Sequence, residues 1–207
     1  MASVYCRGVP PHRDVAAFDD RAPGYDTGWR GRLHHDIADR TATLALAGSS
    51  GPERILDVGC GTGYLLRLLA ARCPDATELV GVDAAPTMIS TAAAGAHDPR
   101  LRFSLGVAER LPAPDGAFDV VVSTTSFDHW SDQGAGLAEC ARVMKPGARL
   151  VLADQFSALL LPTLLTSRRG KARTRRRAEG LLAAAGFRSL QWHDLYAVII
   201  KAVTATT

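Results

Sequence analysis

From Arg54 onward, short apolar runs alternate with longer segments whose apolar residues recur at helical spacing. The apolar runs predict five strands: Arg54–Val58, Leu79–Asp83, Leu101–Leu105, Phe118–Ser123 and Arg149–Ala153. The longer segments predict four helices: Tyr64–Arg72, Met88–Ala94, Gly136–Met144 and Arg173–Ala185. Strands that alternate with helices are typical of an α/β protein with a parallel, doubly wound sheet and helices on both faces.

Two further apolar runs near the end of the chain predict two more strands, Arg188–His193 and Tyr196–Val203. The connection between them, around Asp194-Leu195, is too short for a crossover helix. The pair is therefore expected to form an antiparallel C-terminal hairpin, which completes a seven-stranded, mostly parallel sheet. Ahead of the first strand, residues 1–14 are expected to be a loose arm, and Ile37–Ala47 has a helical pattern.

The composition is that of a globular protein, with 47% hydrophobic and 22% charged residues in a chain of 207. The net charge is +3, but seven of the 24 basic residues lie between Arg168 and Arg177, which leaves 17 basic against 21 acidic residues elsewhere. A pI near 8.8 is therefore a property of one stretch and does not by itself indicate nucleic-acid binding.

The four cysteines have no metal-ligand spacing, and no metal site is expected. The longest apolar run, Ser157–Leu165, is too short to span a membrane and contains Pro162, so no membrane association is expected. The first residues hold no long apolar segment of the kind found in secretion signals. These features predict a cytoplasmic protein with reduced thiols.

The most specific motif is Ile55-Leu-Asp-Val-Gly-Cys-Gly-Thr-Gly63, which ends a predicted strand and opens a helix. Glycines in such a position let the backbone turn tightly and approach a ligand closely. The dinucleotide-binding pattern GxGxxG is disfavoured because Tyr64 stands where the third glycine or alanine is needed. A P-loop is excluded because no Gly-Lys-Ser/Thr follows.

This segment resembles the first signature of class I S-adenosylmethionine-dependent methyltransferases. The resemblance continues in order over residues 50–155, through Gly81-Val-Asp83, Ala108-Glu-Arg-Leu-Pro112, Phe118-Asp-Val-Val-Val-Ser123 and Val143-Met-Lys-Pro-Gly147. It implies a Rossmann-like fold, S-adenosylmethionine as cofactor and S-adenosylhomocysteine as product. The nearest group looks like the small-molecule methyltransferases of quinone biosynthesis and antibiotic tailoring.

The resemblance also implies an organisation. Residues 1–207 would form a single methyltransferase domain. It would consist of an N-terminal arm with lid helices (1–47), a cofactor-binding core (50–155), and a substrate-cap segment followed by the hairpin (156–207).

For the cofactor, the resemblance implies that Asp57 supports the methionine moiety and that Asp83 accepts the ribose hydroxyls. A helix N-cap is the alternative role of Asp83. Cys60 is expected to be a small packing residue, and Met88 to pack on the adenine or simply in the core. The whole set expected at the cofactor is Asp57, Gly59, Cys60, Gly61, Gly63, Asp83, Ala84, Met88, Ala108, Glu109 and Ser123.

One position departs from the family pattern. An Asp often precedes the Ala of the Ala-Glu-x-Leu-Pro segment and holds the adenine amino group, but this chain has Val107 there. Adenine would then be recognised by backbone groups at Ala108, by Glu109 and by apolar packing. The departure keeps open the alternative that the protein binds the cofactor and no longer methylates.

Two residues at predicted strand ends are candidates for acid–base chemistry. His129 follows the fourth strand and Asp154 follows the fifth, the places where some natural-product O-methyltransferases of this type carry a His and an Asp. We expect His129 to take the substrate proton and Asp154 to orient the imidazole or to share the role. The alternative is that His129 only caps or packs. Metabolite O-methylation by this pair is the function that the sequence favours.

Aromatic residues near the expected site are candidates for substrate contact. Tyr25 and Trp29 lie in a stretch that resembles the lid helix of such enzymes, although ordinary helix packing explains them equally well. Further along the chain, Phe127, Trp130 and Phe156 complete the predicted substrate set. His34 and His35 are adjacent, so on a helix they face different ways and make a poor metal pair.

The basic stretch 168–177 has three interpretations. It is a solvated loop and helix face, a docking surface for an acidic partner or a phosphate-bearing substrate, or an RNA-binding segment that would make the protein an RNA methyltransferase. The signature of nucleic-acid amino-methyltransferases is absent at Ser123–Phe127, which disfavours a nucleic-acid substrate.

Overall fold

The computed structural model describes residues 15–47, 51–156, 174–196 and 199–207. The strands within these ranges are β1 (Arg54–Val58), β2 (Glu78–Asp83), β3 (Leu101–Leu105), β4 (Phe118–Thr124), β5 (Met144–Gln155), β6 (Arg188–Tyr196) and β7 (Ile200–Thr206). The helices are α1 (Val15–Arg21), α2 (Gly28–Leu46), α3 (Tyr64–Arg72), α4 (Pro86–Ala94), α5 (Gln133–Val143) and α6 (Arg175–Ala184). Short 3₁₀ turns occupy Ala22–Gly24 and Phe127–His129.

The strands form one sheet in the order β3-β2-β1-β4-β5-β7-β6. The first five strands are mutually parallel, and β7 runs antiparallel to both of its neighbours. The predicted fold is thereby confirmed as a doubly wound, Rossmann-like, seven-stranded sheet with an antiparallel C-terminal hairpin. In such a sheet, ligands bind beyond the carboxyl ends of the strands near the point where the strand order reverses, which here is between β1 and β4.

The central strands β1 and β4 are mainly apolar because helices cover both faces of the sheet. Alternate residues of β4 illustrate this arrangement: Val120 and Val122 face α2 and α3, whereas Val121 faces α5 and α6. Leu66 and Leu137, both fully buried, represent the two helical layers.

Several predicted boundaries were wrong. Strand β5 begins at Met144, five residues before the predicted start, because Met144 pairs with Phe118 ahead of an irregularity in the β4–β5 register. In the hairpin, β6 continues through Asp194-Leu195 to Tyr196, so the turn follows the predicted position. Asp194 lies opposite Lys201 on β7 and forms an ion pair with it, which explains why a charged residue stays within the strand.

Helix α2 is longer than its apolar pattern predicts, because it begins at Gly28 rather than near Ile37. The predicted arm, residues 1–14, and the part of the basic stretch before Thr174 lie outside the described residues. Within the described ranges, no helix is both long enough and apolar enough to cross a membrane.

Candidate active site

A cleft of about 760 Å³, partly open to solvent, lies at the carboxyl ends of β1, β2 and β4. Its floor includes Val58, Gly59 and Asp83 from the ends of β1 and β2. Its cover comes from the N-terminal segment, where Phe18 of α1 and Tyr25, just after the first 3₁₀ turn, line it. The cleft therefore occupies the position at which this class of sheet binds ligands.

The glycine loop between β1 and α3 forms one edge of the cleft. Gly59 has φ +77°, and a Cβ there would lie 1.8 Å from Ser126 Oγ, so no larger residue fits. Gly61 has φ +52°, and a Cβ there would point into open space. The absence of a side chain at Gly61 therefore keeps space open beside the backbone. The absence of one at Gly59 lets the glycine loop pack against Ser126 in the loop after β4.

Asp83 connects β2 to the glycine loop. Its Oδ2 accepts a hydrogen bond from Gly61 N (2.8 Å) and its Oδ1 accepts one from Ala85 N (2.9 Å). Burial raises the pKa of this carboxyl, and the backbone hydrogen bonds oppose that effect. Each oxygen keeps a lone pair that can accept a ribose hydroxyl. The N-cap of α4 is Ala85 rather than Asp83, so the carboxylate holds the loop and does not cap the helix.

Asp57 is 2% exposed, and its Oδ1 has no hydrogen-bond partner among the described residues. Burial, with a further contribution from Asp83, raises the pKa of Asp57 to about 8. An acid in this state fits a cationic ligand, because a nearby positive charge would stabilise the ionised form. The residues present therefore fit a cofactor that carries an ammonium and a sulfonium group.

The other end of the cleft is mainly apolar. Met88 is 1% exposed and packs on Ala22 and Ala85, and Val107 and Ala108 also line the wall. The carboxylate of Glu109 accepts a hydrogen bond from Asp132 N (2.8 Å), at the start of α5. Of the remaining predicted cofactor residues, Ala84 lines the cleft, Gly63 begins α3, and Cys60 is buried below the loop against Gly81.

A wider cleft adjoins the first and opens towards α2. His129 lines both clefts, and Asp154 lines the wider one. The His129 ring meets Phe18 edge-on, with ring centroids 4.8 Å apart. Asp154 is 4% exposed and accepts hydrogen bonds from Asp128 N and Gln155 N. Burial raises the pKa of Asp154, and the nearby His129 opposes that effect.

Several predicted residues lie elsewhere. Phe127 and Phe156 are 1% and 2% exposed and pack on one another in the core, and neither lines either cleft, so a substrate contact by them stays a prediction. Ser123 is fully buried on β4 and does not line either cleft, because side chains of a strand alternate between the two faces. Trp130 lines the first cleft, where it donates to Ser126 Oγ (3.0 Å), and does not line the wider cleft.

Sequence reasoning missed three residues at the end of β4 and just after it, of which Thr125 is the most distinctive. Thr124, Thr125 and Ser126 all line the cofactor cleft. Thr125 has φ +51°, which is an outlier for a β-branched residue. Its side chain is hydrogen-bonded to Tyr25, whose pKa burial raises to about 12. Strained residues of this kind cluster at functional sites, and only a structure reveals them.

The described part of the basic stretch begins α6. Arg175, Arg176 and Arg177 are exposed. Arg175 forms an ion pair with Glu179 and lies over the Trp192 ring at 5.1 Å. At least this arginine is therefore part of an ordinary helix surface. Across the described residues, no group of three or more His, Cys, Asp or Glu side chains is arranged to hold a metal ion.

Comparison with known proteins agrees with this geometry. A model of the family described as "Methyltransferase domain" matches residues 56–152. The demethylmenaquinone methyltransferase of Deinococcus radiodurans is 41% identical over 133 residues, 63% of this chain and 51% of that protein. The C-methyltransferase UbiE of ubiquinone and menaquinone biosynthesis from a Geobacter species is 32% identical over 164 residues, 77% of this chain and 69% of that protein.

The chain belongs to the class I S-adenosylmethionine-dependent methyltransferases. S-adenosylmethionine is accordingly its cofactor. A solved structure of the same fold, the [4+2]-cyclase SpnF, has a TM-score of 0.76 and is 21% identical, with 97% of each chain covered. At that identity the likeness concerns the fold of this methyltransferase alone. The chain spans 51 to 63% of the length of the first three curated relatives it matches.

Proposed function

We propose that this protein transfers the methyl group of S-adenosylmethionine to a small molecule bound in the wider cleft, beside His129 and Asp154. The observation that carries the proposal is the position of His129, which lines both the cofactor cleft and the wider cleft. A side chain at that junction can reach an acceptor atom that points towards the cofactor. Placing the nucleophile next to the methyl group supplies much of the acceleration of such a reaction.

The cofactor supplies an electrophilic methyl group on a sulfonium. Asp57 would face the methionine ammonium of that cofactor, and Asp83 would accept its ribose hydroxyls. His129 accepts the acceptor's proton at an imidazole nitrogen as the acceptor becomes nucleophilic. Asp154 stands close enough for its charge to interact with the imidazole, and the ionised carboxylate would stabilise the imidazolium that forms.

The wider cleft favours a flat, partly apolar acceptor. Phe18, Tyr25 and Trp29 line it alongside His129, and aromatic side chains offer large faces for planar ligands. We therefore propose an aromatic acceptor with an ionisable hydroxyl group. Methylation of that hydroxyl oxygen is the first candidate, because His129 would then remove the proton from the same oxygen that receives the methyl group.

Methylation of a ring carbon is the second candidate. The named relatives from Deinococcus radiodurans and Geobacter support it, since one is a demethylmenaquinone methyltransferase and the other a C-methyltransferase of quinone biosynthesis. A hydroxyl that loses its proton also makes the neighbouring ring carbon nucleophilic. The same base could therefore serve either outcome, and the atom that receives the methyl group distinguishes them.

The test is a methyl-transfer assay with isotopically labelled S-adenosylmethionine and a panel of phenols, naphthols and a demethylmenaquinone analogue. The product is located by mass spectrometry and by the NMR shift of the new methyl group. Wild-type protein and a His97→Gln control, altered at an exposed residue outside both clefts, should give the same product. His129→Gln should lower turnover by about 10²–10⁴-fold. Unchanged turnover in His129→Gln would remove His129 as the base.

A further inference from the structure

The adjacent pair His34 and His35 lies on α2, which closes one side of a smaller cavity of about 440 Å³. The glycine loop and the carboxyl end of β1 form the opposite side. Polar side chains that line this cavity come from both sides: Tyr25, Asp26, His34, His35, Asp57, Thr62, Tyr64, Thr124 and Thr125. The cavity shares Gly59, Gly61 and Tyr25 with the cofactor cleft, so the two are continuous.

The chemistry of this cavity suits an α-amino acid group. Asp57 and Thr124 each present a buried oxygen without a hydrogen-bond partner among the described residues. A carboxylate such as Asp57 attracts an ammonium, but a zwitterion also brings an α-carboxylate that needs a donor. Among the described residues lining the cavity, only His34 and His35 have side chains with an N–H group.

The side chains of His35 and Tyr25, two other donors in the cavity wall, are already engaged. His35 Nε2 lies 3.2 Å from Asp26 Oδ1, and its ring stacks on Tyr64 with centroids 3.7 Å apart and planes within 6°. The Tyr25 side chain is hydrogen-bonded to Thr125. The stacking on Tyr64 holds α2 against α3, and the hydrogen bond between Tyr25 and Thr125 holds the segment before α2 against the loop after β4.

His34 differs from His35 in this respect. Its ring stacks on Tyr25 with centroids 4.9 Å apart, but within the described residues it makes no hydrogen bond. Burial lowers its pKa, an effect that Asp26 opposes and that His35 and Arg30 reinforce. A neutral imidazole still carries one N–H, so the ring can donate a hydrogen bond in either protonation state.

We propose that His34 donates a hydrogen bond to the α-carboxylate of the cofactor's methionine moiety, while His35 holds the wall in place through Asp26 and Tyr64. The proposal rests on the use of S-adenosylmethionine by this chain and adds a recognition residue that lies outside the glycine loop. The His34-His35 pair, whose geometry is poor for a metal site, thereby has a role in cofactor binding.

The test compares two ligands by isothermal titration calorimetry on the full chain. S-adenosylhomocysteine carries the amino-acid group, and 5′-methylthioadenosine lacks it. Losing a hydrogen bond to a charged group weakens binding by roughly 10- to 100-fold. We expect His34→Ala to lose about that much affinity for S-adenosylhomocysteine and less than about twofold for 5′-methylthioadenosine. His34→Gln, which retains an N–H donor, should recover part of the loss, and His97→Ala should match wild type.

Two results would overturn the inference. One is equal weakening of both ligands in His34→Ala, which indicates a general structural effect. The other is no change for either ligand. Thermal unfolding of each variant, measured alongside, shows whether the fold is intact. If His34→Ala does not fold, His34→Gln takes its place in the comparison of the two ligands. Failure of wild-type protein to bind S-adenosylhomocysteine at all is a separate outcome, because it removes the cofactor assignment and with it the proposed function.

Discussion

Asp57 and Asp83 lie near the carboxyl ends of the neighbouring parallel strands β1 and β2, and Asp83 adds to the effect of burial in raising the pKa of Asp57. Both groups are buried, and burial is the larger cause of the raised pKa in each. Two acids placed together without a cation are costly in the free protein. A cationic ligand compensates for that cost, which links the charge of the site to the charge of its cofactor.

The raised pKa of Asp57 makes stability depend on pH. The folded protein retains a proton on Asp57 up to about pH 8, whereas the unfolded chain releases it near pH 4. Between these values the folded state binds more protons, so this group lowers the free energy of unfolding as pH rises, by up to about 1.4 kcal/mol per pH unit. The free energy of unfolding, measured by chemical denaturation between pH 5 and 8, should fall less steeply with pH in Asp57→Asn than in wild type. An equal pH dependence of the free energy of unfolding in the two proteins would contradict a raised pKa at Asp57.

Cofactor binding should release protons. A ligand cation beside Asp57 favours the carboxylate and lowers the pKa from about 8, so binding at pH 7 displaces up to about one proton. Calorimetric titrations in two buffers of different ionisation enthalpy measure that number directly. Asp57→Asn should reduce the release and flatten the pH dependence of the affinity between pH 6 and 8. Equal proton release by wild type and variant would place the linked group elsewhere.

The two glycines Gly59 and Gly61 should respond differently to alanine. Both have positive φ, which costs an alanine about 1–2 kcal/mol. At Gly59 the new Cβ also collides with Ser126, so Gly59→Ala should lower the melting temperature markedly. At Gly61 the Cβ enters open space in the cleft, so Gly61→Ala should fold with a modest loss and bind S-adenosylhomocysteine more weakly. Equal losses of stability in both variants would contradict this assignment.

Alanine variants of Phe127 and Trp29 should have opposite effects on stability and on substrate binding. Phe127 is 1% exposed and packs with Phe156, so Phe127→Ala should lower the free energy of unfolding by about 3–5 kcal/mol. Trp29 is 65% exposed and lines the wider cleft, so Trp29→Ala should change stability by less than about 0.5 kcal/mol. We expect Trp29→Ala to raise the KM for the acceptor. A stable Phe127→Ala with a raised KM would support Phe127 as a substrate residue.

The core of the fold could be predicted from the sequence because strand and helix leave different periodicities. The run from Phe118 to Val122 has no polar residue except Asp119, as a strand covered on both faces requires. The glycine loop could be predicted because its residues are local in the sequence. The end of β6 could not, because the ion pair between Asp194 and Lys201 forms across two strands.

The cover of the site was harder to predict for a related reason. Phe18 and His34 reach the cleft through helices whose packing on the sheet is a long-range property. The 3₁₀ turn after β4 directs Phe127 into the core and His129 into the cleft, although both follow the same strand. Adjacent residues in a tight turn point in different directions, so a list of aromatic residues near a strand end does not show which of them meet a ligand.

A calorimetric titration of the full chain with S-adenosylhomocysteine, repeated with Asp83→Asn, tests most directly whether this protein binds the cofactor through Asp83. We expect binding to wild type and at least about tenfold weaker binding to the variant, because we propose that Asp83 accepts the ribose hydroxyls. Thermal unfolding of the variant serves as the control for its fold. Wild-type protein that does not bind S-adenosylhomocysteine would contradict the cofactor assignment. A folded Asp83→Asn that binds it as tightly as wild type would contradict the role proposed for Asp83.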